Sequence, residues 1–254
     1  MWRFAAARAT GTSHLRAGLP CQDRLACAAL PGGILVAALA DGAGSAAEGG
    51  LGAEIAVEAV VRQVRSSLEE GLVDFDAGLR EAAAQARATV LSEALRQGLE
   101  PRSLASTLLA LVLTPAGGGA LQIGDGVIVV GETGDEWSWV FWPQRGEYAN
   151  TTFFLTDDEA LDRVQIESLP ATITDAALMS DGLEPLALHY ASTTVHQPFF
   201  QGMFRPLVQS AGEGEIDPLS SSLEQFLLSD RVGSRTDDDL SLILATRRNP
   251  VDPA

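Results

Sequence analysis

Seven consecutive apolar residues, Ile34 to Ala40, stop abruptly at Asp41-Gly42. A run that short and that apolar offers no polar face to water, so it reads as a buried strand. The same ending recurs. Ala-Leu-Ala-Asp-Gly, Gln-Ile-Gly-Asp-Gly and Leu-Met-Ser-Asp-Gly close apolar runs at Asp41, Asp125 and Asp181. Asp23 lies just before the apolar stretch Leu25 to Leu30, and Asp237-Asp238-Asp239 just before the run Leu240 to Ala245. Five strand edges therefore present a carboxylate.

The remaining pattern surrounds these strands with helices. A small-residue loop over 43–52 leads into helical spacing over 53–68, and an alanine-rich helix is predicted over 77–97, ended by Gly98 and Pro101. Residues 107–113, 120–123 and 127–130 predict three consecutive strands joined by glycine turns. Further strands are predicted over 137–142, where Trp alternates with other residues, over 150–155 and over 171–179. Residues 196–211 and 219–228 read as helices, the first begun or kinked by Pro198 and Pro206. The strand over 240–245 closes the fold, and 247–254, with two prolines, predicts a frayed tail. No repeat or linker divides the chain, so one domain is expected over 1–246, with antiparallel strands surrounded by helices.

Charge excludes some partners. The chain carries 34 acidic and 17 basic residues, a net charge of −17, and every basic residue is arginine. Nucleic-acid binders hold phosphate with clustered positive charge, which argues against that class here. No apolar stretch approaches the ~20 residues of a membrane span, and Met1 to Gly11 has no signal-peptide core. A cytoplasmic protein with no membrane association is expected. Cys21 and Cys27 match no zinc spacing and make no disulfide framework, so burial is their default. His14, His189 and His196 are scattered, which argues against a His-rich zinc site.

The Asp-Gly dipeptides have two readings. Asp-Gly is a favoured hairpin turn, and Asp125-Gly126, between two short strands, fits that role well. Asp41 and Asp181 fit it less well, since no return strand follows either. The other reading is a ligand set. Carboxylates gathered at one rim repel one another, and hard cations such as Mg²⁺, Mn²⁺ or Ca²⁺ relieve that repulsion through oxygen ligands. Glycine after the aspartate lets a backbone carbonyl or water approach the ion.

The ordered set Gln22-Asp23, Asp41-Gly42-Ala-Gly44, Ala105-Ser106-Thr107, Gly124-Asp125-Gly126, Ser180-Asp181-Gly182 and Asp237-Asp238-Asp239 resembles the metal-dependent protein phosphatase 2C (PPM-type) family. The stretch from Gly11-Thr-Ser-His14 to Pro20-Cys-Gln-Asp23 is similar to its bacterial subgroup. The resemblance implies an α+β fold, a four-layer α-β-β-α sandwich of two antiparallel sheets flanked by helices. It implies hydrolysis of phosphoserine and phosphothreonine in proteins, with two Mn²⁺ or Mg²⁺ ions activating a water and no covalent phosphoenzyme. Asp41 then bridges the ions with the Gly42 carbonyl on one of them. Asp181 and Asp238 complete the set, Asp23 acts through metal-bound waters, and Asp125 serves a third, weaker ion. Ser106-Thr107 is taken as structural.

Departures from the family pattern are also legible. Gln22 stands where a glutamate is common, and Ala43 where a histidine often supplies the leaving-group proton. Behind the residues implied as metal ligands, Gln22 and His14, the latter in a predicted loop, are candidate supports of the site. Arg16 is the nearest candidate for the phosphate-gripping arginine, with Arg24 and Arg102 as further possibilities. Asn150-Thr-Thr152 resembles a segment of the bacterial subgroup. A phosphorylated protein is the implied substrate and a Ser/Thr kinase an implied partner. Gln22 and Ala43 also leave open a catalytically weak module that binds a phosphorylated partner.

Overall fold

A computed structural model describes residues 1–132, 136–145 and 152–248. The chain runs β1 (Arg3–Ala9), α1 (Thr12–Ala17), β2 (Arg24–Leu30), β3 (Ile34–Ala40), α2 (Gly49–Glu69), α3 (Phe75–Gln97), β4 (Leu108–Thr114), β5 (Gly117–Ile123), β6 (Val127–Gly131) and β7 (Trp137–Trp139). It continues through α4 (Ala160–Arg163), β8 (Gln165–Leu169), β9 (Asp175–Met179), α5 (Glu184–Ala187), β10 (Leu188–His189) and β11 (Thr194–Val195). The last elements are α6 (Gln197–Gln209), β12 (Gly214–Glu215), α7 (Asp217–Leu227), α8 (Asp230–Gly233) and β13 (Leu240–Thr246). One sheet has the order β12-β1-β13-β9-β6-β7 and the other β2-β3-β4-β5-β8, with a separate β10–β11 pair. Pairing is antiparallel within both sheets except for β1 beside β12.

The apolar runs are buried on both faces, and strand alternation sorts their side chains. Leu35, Ala37 and Leu39 of β3 point between the sheets, where they meet Leu109, Leu111, Leu178 and Ile243. Val36, Ala38 and Ala40 point outward to Val57 and Val60 of α2 and to Ala82 and Ala86 of α3. On the other outer face, Val127, Val129, Leu242 and Leu244 meet Phe200 and Phe204 of α6 and Leu223 and Leu227 of α7. The layers are therefore α-β-β-α, as the resemblance implies. Each such Leu, Val or Phe contributes about 1.5–3 kcal/mol by leaving water.

Several local expectations need correction. Helix α2 begins at Gly49, inside the stretch read as loop. The segment 107–130 is not three strands of one meander: β4 and β5 pair, but β5 and β6 lie in different sheets. Asp125-Gly126 is thus a crossover between sheets and not a hairpin turn. The Trp-rich strand is only Trp137–Trp139, and the strand near 171–179 starts at Asp175. Of the strand expected over 150–155, residues 150 and 151 lie outside the described residues and 152–155 are not strand. His14 sits on α1, not in a loop. Of the tail expected over 247–254, only Arg247 and Arg248 are described. Arg247 donates to the Ile173 carbonyl at 2.8 Å, and Arg248 pairs with the buried Asp175.

Candidate active site

The carboxylates expected at strand edges share one rim, and they arrive there from both sheets. Asp23 precedes β2 and Asp41 follows β3, in the five-stranded sheet. Asp181 follows β9 and Asp238 precedes β13, in the six-stranded sheet, while Asp125 lies on the crossover between the two. Backbone contacts fix each position. The Asp41 amide donates to Thr107 Oγ1 at 2.9 Å and its carbonyl accepts from the Thr107 amide at 2.8 Å, which gives Thr107 the structural role expected of it. Ser180 Oγ accepts from the Ser241 amide at 3.0 Å and so ties the Asp181 turn to β13.

Close approach explains two of the glycines. A Cβ on Gly42 would lie 2.4 Å from the carbonyl carbon of Gly49, so the Asp41 loop can rest on the start of α2 only without a side chain. A Cβ on Gly182 would lie 2.3 Å from the Asp239 carbonyl oxygen. Neither glycine has positive φ. The Asp-Gly pairs at 41 and 181 are therefore packing devices, not type I′ turns.

The negative charges act on one another. Burial, then Asp23 and Asp181, hold Asp41 well above the usual carboxylate range. Asp181 is pushed up to about 8, first by burial and then by Asp125, Asp238, Glu184 and Asp23. Burial pushes Asp23 up to about 6, and Asp125 and Asp238 are also raised, with burial the leading cause in each. Asp23 is 0% exposed, and neither of its carboxylate oxygens has a well-formed hydrogen bond; the Ser180 and Ser241 hydroxyls and the Asp41 carboxyl are its polar neighbours. Asp181 Oδ1 and Gln22 Oε1 likewise lack a partner. Among the described residues, no three His, Cys, Asp or Glu side chains already converge into a cage that holds an ion by themselves.

These shifts set a pH dependence for the metal-free chain. A folded-state pKa above the unfolded value of 3.8 means the folded state binds more protons in between, so stability falls as pH rises through that window. In chelator, thermal stability should decline from pH about 4 toward pH about 8. Asp181→Asn should flatten the upper part of that decline. A melting profile that rises over the same range would show that the carboxylates do not share a field.

Neighbouring residues occupy defined places. Asp239, 2% exposed, accepts from the Gly11 amide at 2.7 Å and the Gln22 amide at 2.6 Å, and His14 Nδ1 lies 2.8 Å from its Oδ2. A carboxylate only accepts, so His14 donates there. Arg16 points elsewhere: its side chain is 70% exposed, pairs with Asp237 at 3.3 Å and donates to the Thr12 carbonyl. Arg24 donates to the Cys21 and Asp23 carbonyls, while Arg102 lies in the short 3₁₀ turn before β4. Ala43 is buried with Ala46 and Ala105, with Phe154 packed against them, so nothing at that position carries a proton. Cys21 and Cys27 are unpaired and only half-buried, less than expected; Cys21 is pushed up to about 12 and Cys27 higher still, chiefly by desolvation, which favours the thiol form of both.

The chain as a whole has counterparts. The family model for protein phosphatase 2C matches residues 10–228. Serine/threonine-protein phosphatase 3 of Escherichia coli (strain K12) is 36% identical over 253 residues, covering 96% of this chain and 98% of that protein. The chain belongs to the protein phosphatase 2C family. Solved structures agree on the fold. The manganese-bound catalytic domain of the serine threonine protein phosphatase PstP superposes with a TM-score of 0.66 at 19% identity, over 96% of this chain and 97% of that one. A C. elegans sex determining protein gives 0.67 at 11% identity, over 97% of this chain but 65% of that one. As a protein phosphatase 2C member the chain is an enzyme of the phosphatase class. No helix among the described residues is long and apolar enough to cross a membrane.

Two features of this protein phosphatase 2C site escape a reading of the sequence. Asp239 looks like a repeat of Asp238, yet it is the buried acceptor that joins three segments. Arg145 has no motif around it, yet its charge reaches Asp125. Only the proximity of distant segments reveals either one.

Proposed function

We infer that the chain hydrolyses phosphoserine and phosphothreonine in proteins, with hard divalent cations, Mn²⁺ or Mg²⁺, held by Asp41, Asp181 and Asp238. The observation that carries this reading is the rim of mutually repelling carboxylates, in which Asp23 and Asp181 keep buried oxygens without hydrogen-bond partners. An all-oxygen donor set with uncompensated charge fits hard cations. Asp23 and the Gly42 carbonyl supply further oxygens, and Asp125, set apart on the crossover, suits a third ion. The two-manganese complex of PstP, whose fold this chain shares, supports two ions here.

When bound, such ions supply activation of water and charge neutralisation at the phosphoryl group. The chain's own groups do the rest. Thr107 and Ser180 hold Asp41 and Asp181 on rigid strand ends, so the oxygens need little rearrangement. Asp239 holds Gln22, and through it Asp23, against the start of β13. The raised thiols of Cys21 and Cys27 offer no nucleophile, which suits direct attack of water without a phosphoenzyme.

The test is hydrolysis of a phosphothreonine peptide with and without Mn²⁺. Turnover that appears with the ion and vanishes in chelator is expected. Turnover indifferent to chelator, or none from folded, manganese-loaded protein, would overturn the reading.

A further inference from the structure

Beyond the carboxylates, Arg145 stands beside the Asp125 and Asp181 side of the site. Arg145 is 50% exposed, and its Nη2 lies 3.0 Å from Glu184 Oε2 and 2.6 Å from the Tyr190 hydroxyl. The guanidinium carbon sits 4.7 Å over the Tyr190 ring. The Tyr190 hydroxyl also donates to Glu184, which begins α5 three residues after Asp181. Arg145 favours the charged form of Asp125, while Glu184 disfavours that of Asp181. The guanidinium is thus fixed between the acidic rim and the β10–β11 pair.

Aromatic rings continue outward from it. Trp142 meets Tyr190 edge-on at 5.2 Å, and Trp139 meets Trp142 edge-on at 5.7 Å. The Trp139 indole N–H donates to the Thr193 carbonyl at 2.9 Å. Trp139 is 36% and Tyr190 42% exposed. By contrast, Trp137 stacks on Phe204 of α6 at 5.4 Å and belongs to the core. The exposed rings are therefore locked in place without being buried. Arginine, tryptophan and tyrosine held this way bind with little further loss of freedom.

We propose that Arg145, Tyr190, Trp142 and Trp139 form a docking wall for the polypeptide that flanks the phosphorylated residue of the substrate. This rests on the phosphatase reading above and names which part of the substrate the site recognises. Two observations select that occupant. The wall is continuous with the rim through Glu184, so a chain whose phosphoryl group is at the carboxylates passes over it. Its arginine also offsets Glu184 and Asp125 at the edge where the acidic rim, in a chain of net charge −17, would otherwise repel an incoming phosphate. Trp139 is linked to the rim through Trp142, Tyr190 and Glu184 in turn, so turnover of a small ester should not depend on it.

The experiment compares kcat/KM for a phosphothreonine peptide with that for p-nitrophenyl phosphate, both with Mn²⁺, in wild type, Arg145→Ala and Trp139→Ala. The peptide-to-ester ratio should fall about tenfold in each variant through the peptide KM, the scale of one lost anchor. Trp139 lies at the outer end of the wall, so Trp139→Ala guards against a fold defect in Arg145→Ala. Equal losses on both substrates, or an unchanged ratio, would overturn the proposal and leave Arg145 as a partner of Glu184 only. Should wild type turn over neither substrate, the phosphatase reading fails by itself. Anisotropy of a labelled phosphopeptide then decides the wall: binding weakened about tenfold by Trp139→Ala supports it, and absent or unaltered binding overturns it.

Discussion

Asp41→Asn should lower manganese-dependent turnover of a phosphothreonine peptide by at least about a hundredfold, the scale set by removing one group that stabilises transition-state charge. The same substitution should raise the melting temperature in chelator. The amide keeps the shape of the carboxyl, and the backbone bonds to Thr107 that position residue 41 are untouched. What disappears is one negative charge from a group that Asp23, Asp181 and Asp238 all repel. Function and stability therefore move in opposite directions. Steady-state kinetics beside thermal melting in EDTA measures both. Retained turnover would remove Asp41 from the ligand set, and a lower melting temperature in chelator would show that its charge is compensated within the protein.

Asp239→Ala should cost about 3–5 kcal/mol of folding stability, since it strips a buried acceptor from three donors at once. The Gly11 and Gln22 amides and His14 Nδ1 would be left without that partner. In a chain of this size the loss corresponds to a drop of roughly 10 °C in melting temperature. Urea unfolding of wild type, Asp239→Ala and Asp239→Asn measures it. The asparagine keeps one acceptor oxygen and should recover part of the loss. A cost under about 1 kcal/mol for the alanine variant would mean that water replaces the carboxylate, and that the three segments hold without it.

The legible parts of the fold were those whose chemistry is local. Largely apolar runs marked β3, β4 and β13 because burial on both faces favours apolar residues at most positions, Ser241 of β13 being an exception. The Asp-Gly endings marked the rim because their order along the chain survives without coordinates. Strand β1 was hidden, since Ala5, Ala7 and Ala9 pack on the outer face with the residues of α6 and α7, but alanine carries little strand preference. Strand β8, Gln-Ile-Glu-Ser-Leu, was hidden because an edge strand exposes much of its surface. Asp125-Gly126 misled in the opposite way. Two short strands around a turn dipeptide look alike whether the chain folds back or crosses to another sheet.

The site showed the same division. Its acidic residues announce themselves, but their supports do not. His14 and Asp239 are 225 residues apart, and Arg145 and Tyr190 are 45 apart. No spacing rule reaches that far. Arg16, chosen for its nearness to Asp23 in sequence, instead faces Asp237 on the outside of α1.

The carboxylates ride on two separate sheets, with Asp23 and Asp41 on one and Asp181 and Asp238 on the other. The gap between those sheets is filled by Leu35, Leu39, Leu109, Leu178 and Ile243. The reach from one half of the acidic rim to the other is therefore set, as by the jaws of a caliper, by the apolar side chains packed between the sheets. Close-packed interiors transmit a change of one methylene as displacement. On the proposed metal reading, substitutions in this filler should shift the preference between large and small cations, read as the ratio of Mn²⁺- to Mg²⁺-supported turnover, so that side chains far from any charge would tune which ion the rim accepts.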